Sequence, residues 1–198
     1  MKSWVLEKTA EPAGNEPLVL RERPVPEPGP GSVLVQISCC GICHTELDEI
    51  EGRLPANLPV IPGHQVIGRV AGNGPSATRF RPGDRVGVAW IFSACGTCPY
   101  CAGGRENLCP DFQGTGLDAD GGYAEYMAVP EGFAYRIPDA FSDFEAAPLL
   151  CAGAIGYRSL SLTGLENGQS IGLAGFGGSA HLVLKMIRHR FPDAPIFV

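Results

Sequence analysis

Four cysteines with short, regular spacing constrain this chain more than any other feature of its sequence. Cys95, Cys98, Cys101 and Cys109 follow the pattern C-x2-C-x2-C-x7-C within a segment rich in turn residues. Thiolates at two-residue gaps can converge on one tetrahedral zinc ion, and four of them leave no position for water or substrate. The spacing therefore predicts a structural zinc site that stabilises a lobe at residues 93–111. An iron–sulfur cluster and two adjacent disulfides are the alternatives.

The composition predicts a folded, strand-rich chain. Of the 198 residues 44% are hydrophobic, and 27 glycines and 18 prolines favour many turns over a helical bundle. The formal net charge is −6 and the chain has no run of Lys or Arg, so nucleic acid and membrane are poor partner predictions. No apolar run approaches the roughly 18 residues of a membrane helix, and residues 1–7 resemble a charged strand more than a signal peptide. Eight cysteines without such a signal predict a reducing compartment, the cytoplasm.

Short strands separated by Pro/Gly turns are predicted for the first 140 residues. Hydrophobic alternation predicts strands at residues 1–7, 18–23, 32–39, 65–71, 85–90 and 123–129. Four prolines exclude a helix or a central strand at 24–31, and a short helix is predicted to start near His44.

The pattern changes after residue 141, where Ser142 and Glu145 have the spacing of a helix capping box. The following periodicity predicts helices at 152–162 and 178–190 and buried parallel strands at 170–175 and 194–198. One β-α-β unit is not a domain, because a doubly wound sheet needs roughly five or six strands. We therefore expect this sequence to be C-terminally truncated, and its exposed apolar sheet edge predicts poor solubility.

A glycine-rich segment, GFGGSA at residues 175–180, fits the dinucleotide-binding pattern G-x-G-x-x-A between a strand and a helix. Gly175 would permit the tight turn, Gly177 would let the backbone approach a pyrophosphate, and Ala180 would let the helix pack close to the strand. A packing turn is the alternative. Asp193 precedes the second strand and so lies at the wrong end to select NAD or NADP. The selecting residue is expected after Val198.

Cys43, His64 and Cys151 are three further candidate ligands. Each alone could equally be a buried thiol or a core histidine, but a Cys2His set leaves a fourth position open, as a catalytic zinc requires. Their local sequences are GICHT at 41–45, PGH at 62–64 and PLLCAG at 148–153.

These motifs, in this order and with the four-cysteine segment between them, resemble those of the zinc-dependent medium-chain alcohol dehydrogenases over the whole chain. The resemblance implies a mixed fold: a GroES-like, mostly β catalytic domain at residues 1–150, then the first β-α-β unit of an α/β Rossmann domain at 151–198. It implies two zinc ions per chain, with Cys43, His64 and Cys151 holding the catalytic ion, and NAD or NADP as cofactor.

The resemblance also implies roles for residues around the open site. Thr45 would lead the alcohol proton away, Asp48 would pass it to solvent, and His44 would lie near the cofactor pyrophosphate. Trp90 would line the substrate pocket, with a plain core tryptophan as an equal alternative.

Three positions depart from the commonest family pattern. Glu46 stands where Asp frequently supports a metal ligand, and Asp48 stands where a histidine often ends the proton relay. Gln65 follows His64 where Glu is usual. The lost negative charge should make the zinc a somewhat stronger Lewis acid.

The function implied is NAD(P)-linked oxidation of an alcohol to an aldehyde or ketone, by a protein that is a homo-oligomer when full length. A non-catalytic zinc-binding fragment of such an enzyme is the alternative, because the strands that would hold the nicotinamide are missing. Zinc-free quinone or enoyl reductases of the same superfamily are a third class, in which the seven candidate ligands would be coincidental.

Overall fold

The structure is a computed structural model that describes residues 1–11 and 16–198. Backbone contacts divide the chain into two compact units, Met1–Ala147 and Pro148–Val198. In the described part of the chain, every helix is too short or too polar to cross a bilayer.

The first unit is built mainly from short strands. Its strands are β1 (Lys2–Leu6), β2 (Leu18–Glu22), β3 (Ser32–Cys40), β4 (Val66–Asn73), β5 (Arg85–Val88), β6 (Ile91–Ser93), β7 (Gln113–Gly114), β8 (Tyr126–Pro130) and β9 (Ala134–Arg136). Its helices are α1 (His44–Ile50), α2 (Pro99–Ala102) and α3 (Asp143–Ala146). Residues 24–31 form neither helix nor strand, as their prolines predict.

The core of this unit lies on one face of a five-stranded antiparallel sheet with the order β8-β3-β4-β5-β9. Successive side chains of a strand point to opposite faces, so every second residue can be buried. The cluster contains Val33, Val35, Val66, Val70, Phe80, Val86, Val88, Met127, Val129 and Ala134. The mostly β fold predicted for this part of the chain is confirmed.

Backbone hydrogen bonds explain why two predicted strands, at 85–90 and 123–129, have different limits in the structure. β5 ends at Val88 and not at residue 90. The carbonyl of Trp90 accepts a hydrogen bond from the Thr115 amide, so the chain after Val88 no longer pairs with the five-stranded sheet. β8 begins at Tyr126 and not at residue 123, because the Tyr123 backbone is bonded to β1 and to the segment before His64.

The predicted capping box forms at the start of α3. The Ser142 hydroxyl accepts a hydrogen bond from the Glu145 amide at 3.3 Å, and the Glu145 carboxylate accepts one from the Ser142 amide at 2.9 Å. Each side chain thereby satisfies a backbone donor that the helix leaves without a partner.

The second unit contains one β-α-β unit preceded by a helix. Its elements are α4 (Ala152–Leu162), β10 (Ile171–Gly172), α5 (Gly178–Arg190) and β11 (Ile196–Phe197), and the two strands pair in parallel. Both helices have the predicted bounds. The strands are shorter than predicted, and they are half-buried or exposed where burial was expected. Ile171 and Ile196 pack against the core of this unit, whereas the next residue of each strand is exposed. The core is formed by Leu160, Val183, Ile187 and Ala194.

Candidate metal centres

The four cysteines of the lobe converge on one point. Their sulfur atoms all lie within 4.8 Å of one another, and the Sγ atoms of Cys95 and Cys101 are 3.9 Å apart. A tetrahedral zinc ion with Zn–S bonds of about 2.3 Å holds its sulfurs about 3.8 Å apart, which the arrangement fits. A disulfide would need about 2.05 Å, and none of the four cysteines of the lobe forms one, so the disulfide alternative is wrong. An iron–sulfur cluster spreads its ligands over several irons and fits such close sulfurs less well.

Backbone amides point at these sulfur atoms and stabilise negative charge on them. The amide of Cys98 donates to Cys95 Sγ at 3.3 Å, that of Cys101 to Cys98 Sγ at 3.5 Å, and that of Cys95 to Cys109 Sγ at 3.4 Å. Hydrogen bonds from the Thr97 and Cys98 backbone lower the pKa of Cys95 to about 6. Burial raises the pKa of Cys101 to about 12. Four thiols this close cannot all ionise unless a cation lies between them, so the donor set suits a metal ion.

The chain brings Cys43 and His64 together at a second point in the first unit. Cys43 lies directly before α1, and His64 lies two residues before the start of β4. Cys43 Sγ and a ring nitrogen of His64 lie within 4.8 Å of each other. Zinc bound by one thiolate and one imidazole at about 2.3 and 2.1 Å fits such a separation.

Glu46 fixes the position of both of these ligands. One of its carboxylate oxygens accepts the Cys43 amide at 2.6 Å, and the other lies 2.7 Å from Nδ1 of His64. Glu46 is 3% and His64 1% exposed, so this contact lies in a low-dielectric interior. A carboxylate at Nδ1 favours the tautomer whose Nε2 is free to bind a metal. Glu46 thus contacts both candidate ligands, one with each of its carboxylate oxygens.

Two aromatic rings pack in series beside His64. The Trp90 ring meets the imidazole edge-on, with centroids 5.0 Å apart and planes at 81°. The Phe112 ring packs against Trp90 with centroids 6.2 Å apart and planes at 34°. Trp90 is half-buried, so part of its surface stays exposed.

The other predicted site residues of α1 are half-buried, as Thr45 and Asp48 are, or exposed, as His44 is. Thr45 Oγ1 is 3.5 Å from Cys43 Sγ, which places a hydroxyl next to the candidate metal ligand. Asp48 is ion-paired with Arg53 at 2.7 Å, and Nε2 of His44 lies 3.8 Å from the same carboxylate oxygen. The His44 side chain is 75% exposed and so is free to meet a ligand in solution.

The second unit carries the other predicted site residues. Cys151 is the residue before α4, and the loop after β10 leads into α5 through Gly175, with φ +83°, and Gly177. A cavity of about 470 Å³ is lined by this loop and by Ala180. Asp193 accepts a hydrogen bond from the Asn167 side chain at 2.7 Å, at the end of the strands opposite to this loop.

Glu49 is a buried carboxyl group that the sequence analysis missed. It is fully buried, and neither carboxylate oxygen has a hydrogen-bond partner among the described residues. Desolvation, followed by the charges of Glu46 and Asp48, raises its pKa from 4.5 to about 8. The nearby Tyr123 hydroxyl is also buried, with no hydrogen-bond partner in the part of the chain that the structure describes, and desolvation raises its pKa. A spacing of three and four residues puts Glu46, Glu49 and Ile50 on one helix face, which is the signal that could have revealed this burial.

Glu49 is expected to make the protein less stable as pH rises from 5 to 8. Its pKa is higher in the folded than in the unfolded chain, so the folded state holds the proton more tightly and loses this advantage as pH passes 4.5 and approaches 8. Over this range the loss in unfolding free energy is about 3 kcal/mol. Glu49→Gln should remove that slope in urea titrations at the two pH values. Glu22→Gln, an exposed control, should not, and equal slopes in Glu49→Gln and the parent would contradict the prediction.

Residues 29–139 match the family model of the alcohol dehydrogenase GroES-like domain. This segment contains both the four-cysteine lobe and the Cys43–His64 pair.

Similar proteins are alcohol dehydrogenases of about twice this length. The chain is 47% identical over 192 residues to the probable alcohol dehydrogenase AdhA of Mycobacterium tuberculosis, covering 94% of this chain and 55% of that protein. The crystal structure of an NAD-dependent alcohol dehydrogenase superposes with a TM-score of 0.90 at 28% identity, covering 99% of this chain and 57% of that one. The cobalt- and zinc-bound thermostable alcohol dehydrogenase from Pyrobaculum aerophilum gives a TM-score of 0.89 at 26% identity, with coverages of 99% and 58%.

Proposed function

The chain belongs to the zinc-dependent alcohol dehydrogenase family, and on that premise we propose that it carries the metal-binding half of an enzyme that oxidises an alcohol to an aldehyde or ketone. The chain spans about half the length of the curated relatives that it matches. The observation that supports the proposal most directly is the buried His64–Glu46 pair beside Cys43, because it prepares an imidazole nitrogen for a metal.

We assign two zinc sites to the chain. Cys95, Cys98, Cys101 and Cys109 would form a closed structural site. Cys43, His64 and Cys151 would hold the catalytic ion, whose fourth position stays open for substrate. Zinc in such a site supplies Lewis acidity that makes the proton of an alcohol hydroxyl easier to remove near neutral pH.

Thr45 would accept the substrate proton. Its hydroxyl lies 3.5 Å from Cys43 Sγ and can accept one hydrogen bond while it donates another. Asp48 lies three residues further along α1, on the same face of the helix. Its side chain is 33% exposed, so it can deliver a proton to water, and Arg53 holds it in place. Trp90 would form one wall of the substrate pocket.

The second unit would hold the cofactor, NAD or NADP, which accepts the hydride. Gly175 turns the chain at a positive φ, and Gly177 precedes an α5 of 13 residues whose first amides are directed at the loop. Such a helix start favours a pyrophosphate. His44, a mostly exposed side chain, would contact the same group.

Zinc content per chain tests these assignments. Elemental analysis of the protein, purified without chelators, is expected to find two zinc ions per chain. His64→Gln and Cys151→Ser should each reduce the content by one ion, because each variant removes one of the three ligands of the open site. His189→Gln, in which an exposed histidine is lost, is the matched control and should keep both ions.

Alcohol oxidation with NAD⁺ and with NADP⁺ then tests the chemistry. Two zinc ions that survive in Cys151→Ser would contradict the ligand set. Two zinc ions in the parent without reduction of either cofactor by a panel of primary and secondary alcohols would favour the non-catalytic fragment.

A further inference from the structure

We propose that Phe112 is a positioning residue through which the metal-bound state of the four-cysteine lobe controls the packing of Trp90 against His64. The inference rests on the proposed metal-binding roles of the lobe and of His64. It adds that the two metal centres are mechanically linked, so that the lobe acts on the open site as well as on the stability of the fold.

A continuous series of contacts joins the two centres. Cys109, one of the four cysteines, accepts the Phe112 amide on its carbonyl at 3.1 Å. The Phe112 ring packs on Trp90 at 6.2 Å, and Trp90 packs edge-on against His64 at 5.0 Å. Both aromatic contacts have the centroid spacing and tilt at which rings attract each other.

The strands at the two ends of the lobe, β6 and β7, hold the Phe112 and Trp90 rings in place. β6 and β7 pair on either side of the lobe, and Ser93 donates to the Gln113 side chain at 2.8 Å. The Thr115 hydroxyl donates to the Ala89 carbonyl at 2.7 Å, next to Trp90. A Cβ at Gly114, the last residue of β7, would lie 3.4 Å from the Trp90 ring, so the indole packs directly against β7.

The lobe has almost no apolar core that could hold Phe112 without the metal. Residues 94–111 are all described, and Cys109 alone among them is buried. A loop with so little buried surface depends on its metal for a fixed shape. Loss of the metal would therefore release Cys109, then Phe112, and so loosen the indole that packs on His64.

Fluorescence of Trp90 tests this linkage without substrate or cofactor. The chain has two tryptophans, and Trp4→Phe leaves Trp90 as the one reporter. In this background Phe112→Ala is expected to shift the emission to the red and raise the acrylamide quenching constant roughly twofold, because the indole opens to water more often. Phe112→Tyr, which keeps the ring, should restore the parent values. Phe144→Ala, the same change at a side chain that is 79% exposed, is the control and should have no effect.

Removal of a lobe ligand must act through the same contact. Cys98→Ser is expected to reproduce the change, and Cys98→Ser with Phe112→Ala should add little to either variant alone, because the two lie on one path. Additive effects, or an unchanged Trp90 emission in Phe112→Ala, would overturn the proposal even if both zinc ions are found. If Cys98→Ser does not fold, an unchanged emission in Phe112→Ala, or a failure of Phe112→Tyr to restore the parent values, still overturns the proposal. Failure of the zinc assignments would show separately, as zinc content below two ions in the parent.

Discussion

Replacing Cys95 with serine is expected to release one zinc ion per chain and to unfold the lobe. The free energy linked to structural zinc sites is on the order of 10 kcal/mol, far more than the few apolar contacts of this segment can supply. Cys95 is the sharpest choice because its sulfur accepts hydrogen bonds from the Cys98 amide and the Thr97 hydroxyl. Zinc analysis should find one ion where the parent has two.

Trypsin reports the unfolding at a defined bond. Arg105 is the one basic residue between Cys95 and Cys109, and it is exposed. We expect cleavage after Arg105 to become fast in Cys95→Ser, giving fragments 1–105 and 106–198 by mass spectrometry. Cys39→Ser makes the same chemical change in β3 and should keep both the zinc and the protection. Unaltered zinc content in Cys95→Ser would show that the lobe is not a metal site.

The helices of the second unit could be predicted because their signals are local. The glycines at 177 and 178 and Pro192 bracket α5, and its bounds agree with the prediction. Strand limits were less predictable, because they depend on partners far away in sequence. The apolar run at 85–90 continues beyond Val88, yet the Trp90 carbonyl bonds to Thr115, which nothing in the run itself indicates.

The candidate ligands could be proposed from motifs, but their surroundings could not. Glu46 lies three residues from Cys43, and its contact with His64 joins residues that are far apart in the sequence. The stacking of Phe112 on Trp90 likewise depends on the pairing of β6 with β7 across the whole lobe. Glu49 is buried although glutamates are usually exposed, so the residue type alone predicted the opposite.

Replacing Gly63 with alanine is expected to destabilise the first unit by roughly 4 kcal/mol, because the site before His64 has neither the backbone freedom nor the space for a side chain. The φ of Gly63 is +99°, which disfavours any L-residue. A Cβ at this position would also lie 2.6 Å from the Tyr123 ring and 2.8 Å from Cys40 Sγ. The alanine can be accommodated only if the segment carrying His64 moves.

Urea unfolding of Gly63→Ala against a matched control separates these two causes. Gly83 also has a positive φ, +91°, but a Cβ there meets nothing within 4 Å, so Gly83→Ala measures the backbone strain alone. We expect Gly63→Ala to lose more stability than Gly83→Ala by about 2 kcal/mol, the usual effect of overpacking. It should also lose the zinc ion assigned to His64, whereas Gly83→Ala should retain it. Equal stability of the two variants, with zinc retained in both, would mean that the segment before His64 is not held by Tyr123 and Cys40, and that the ligand position tolerates movement.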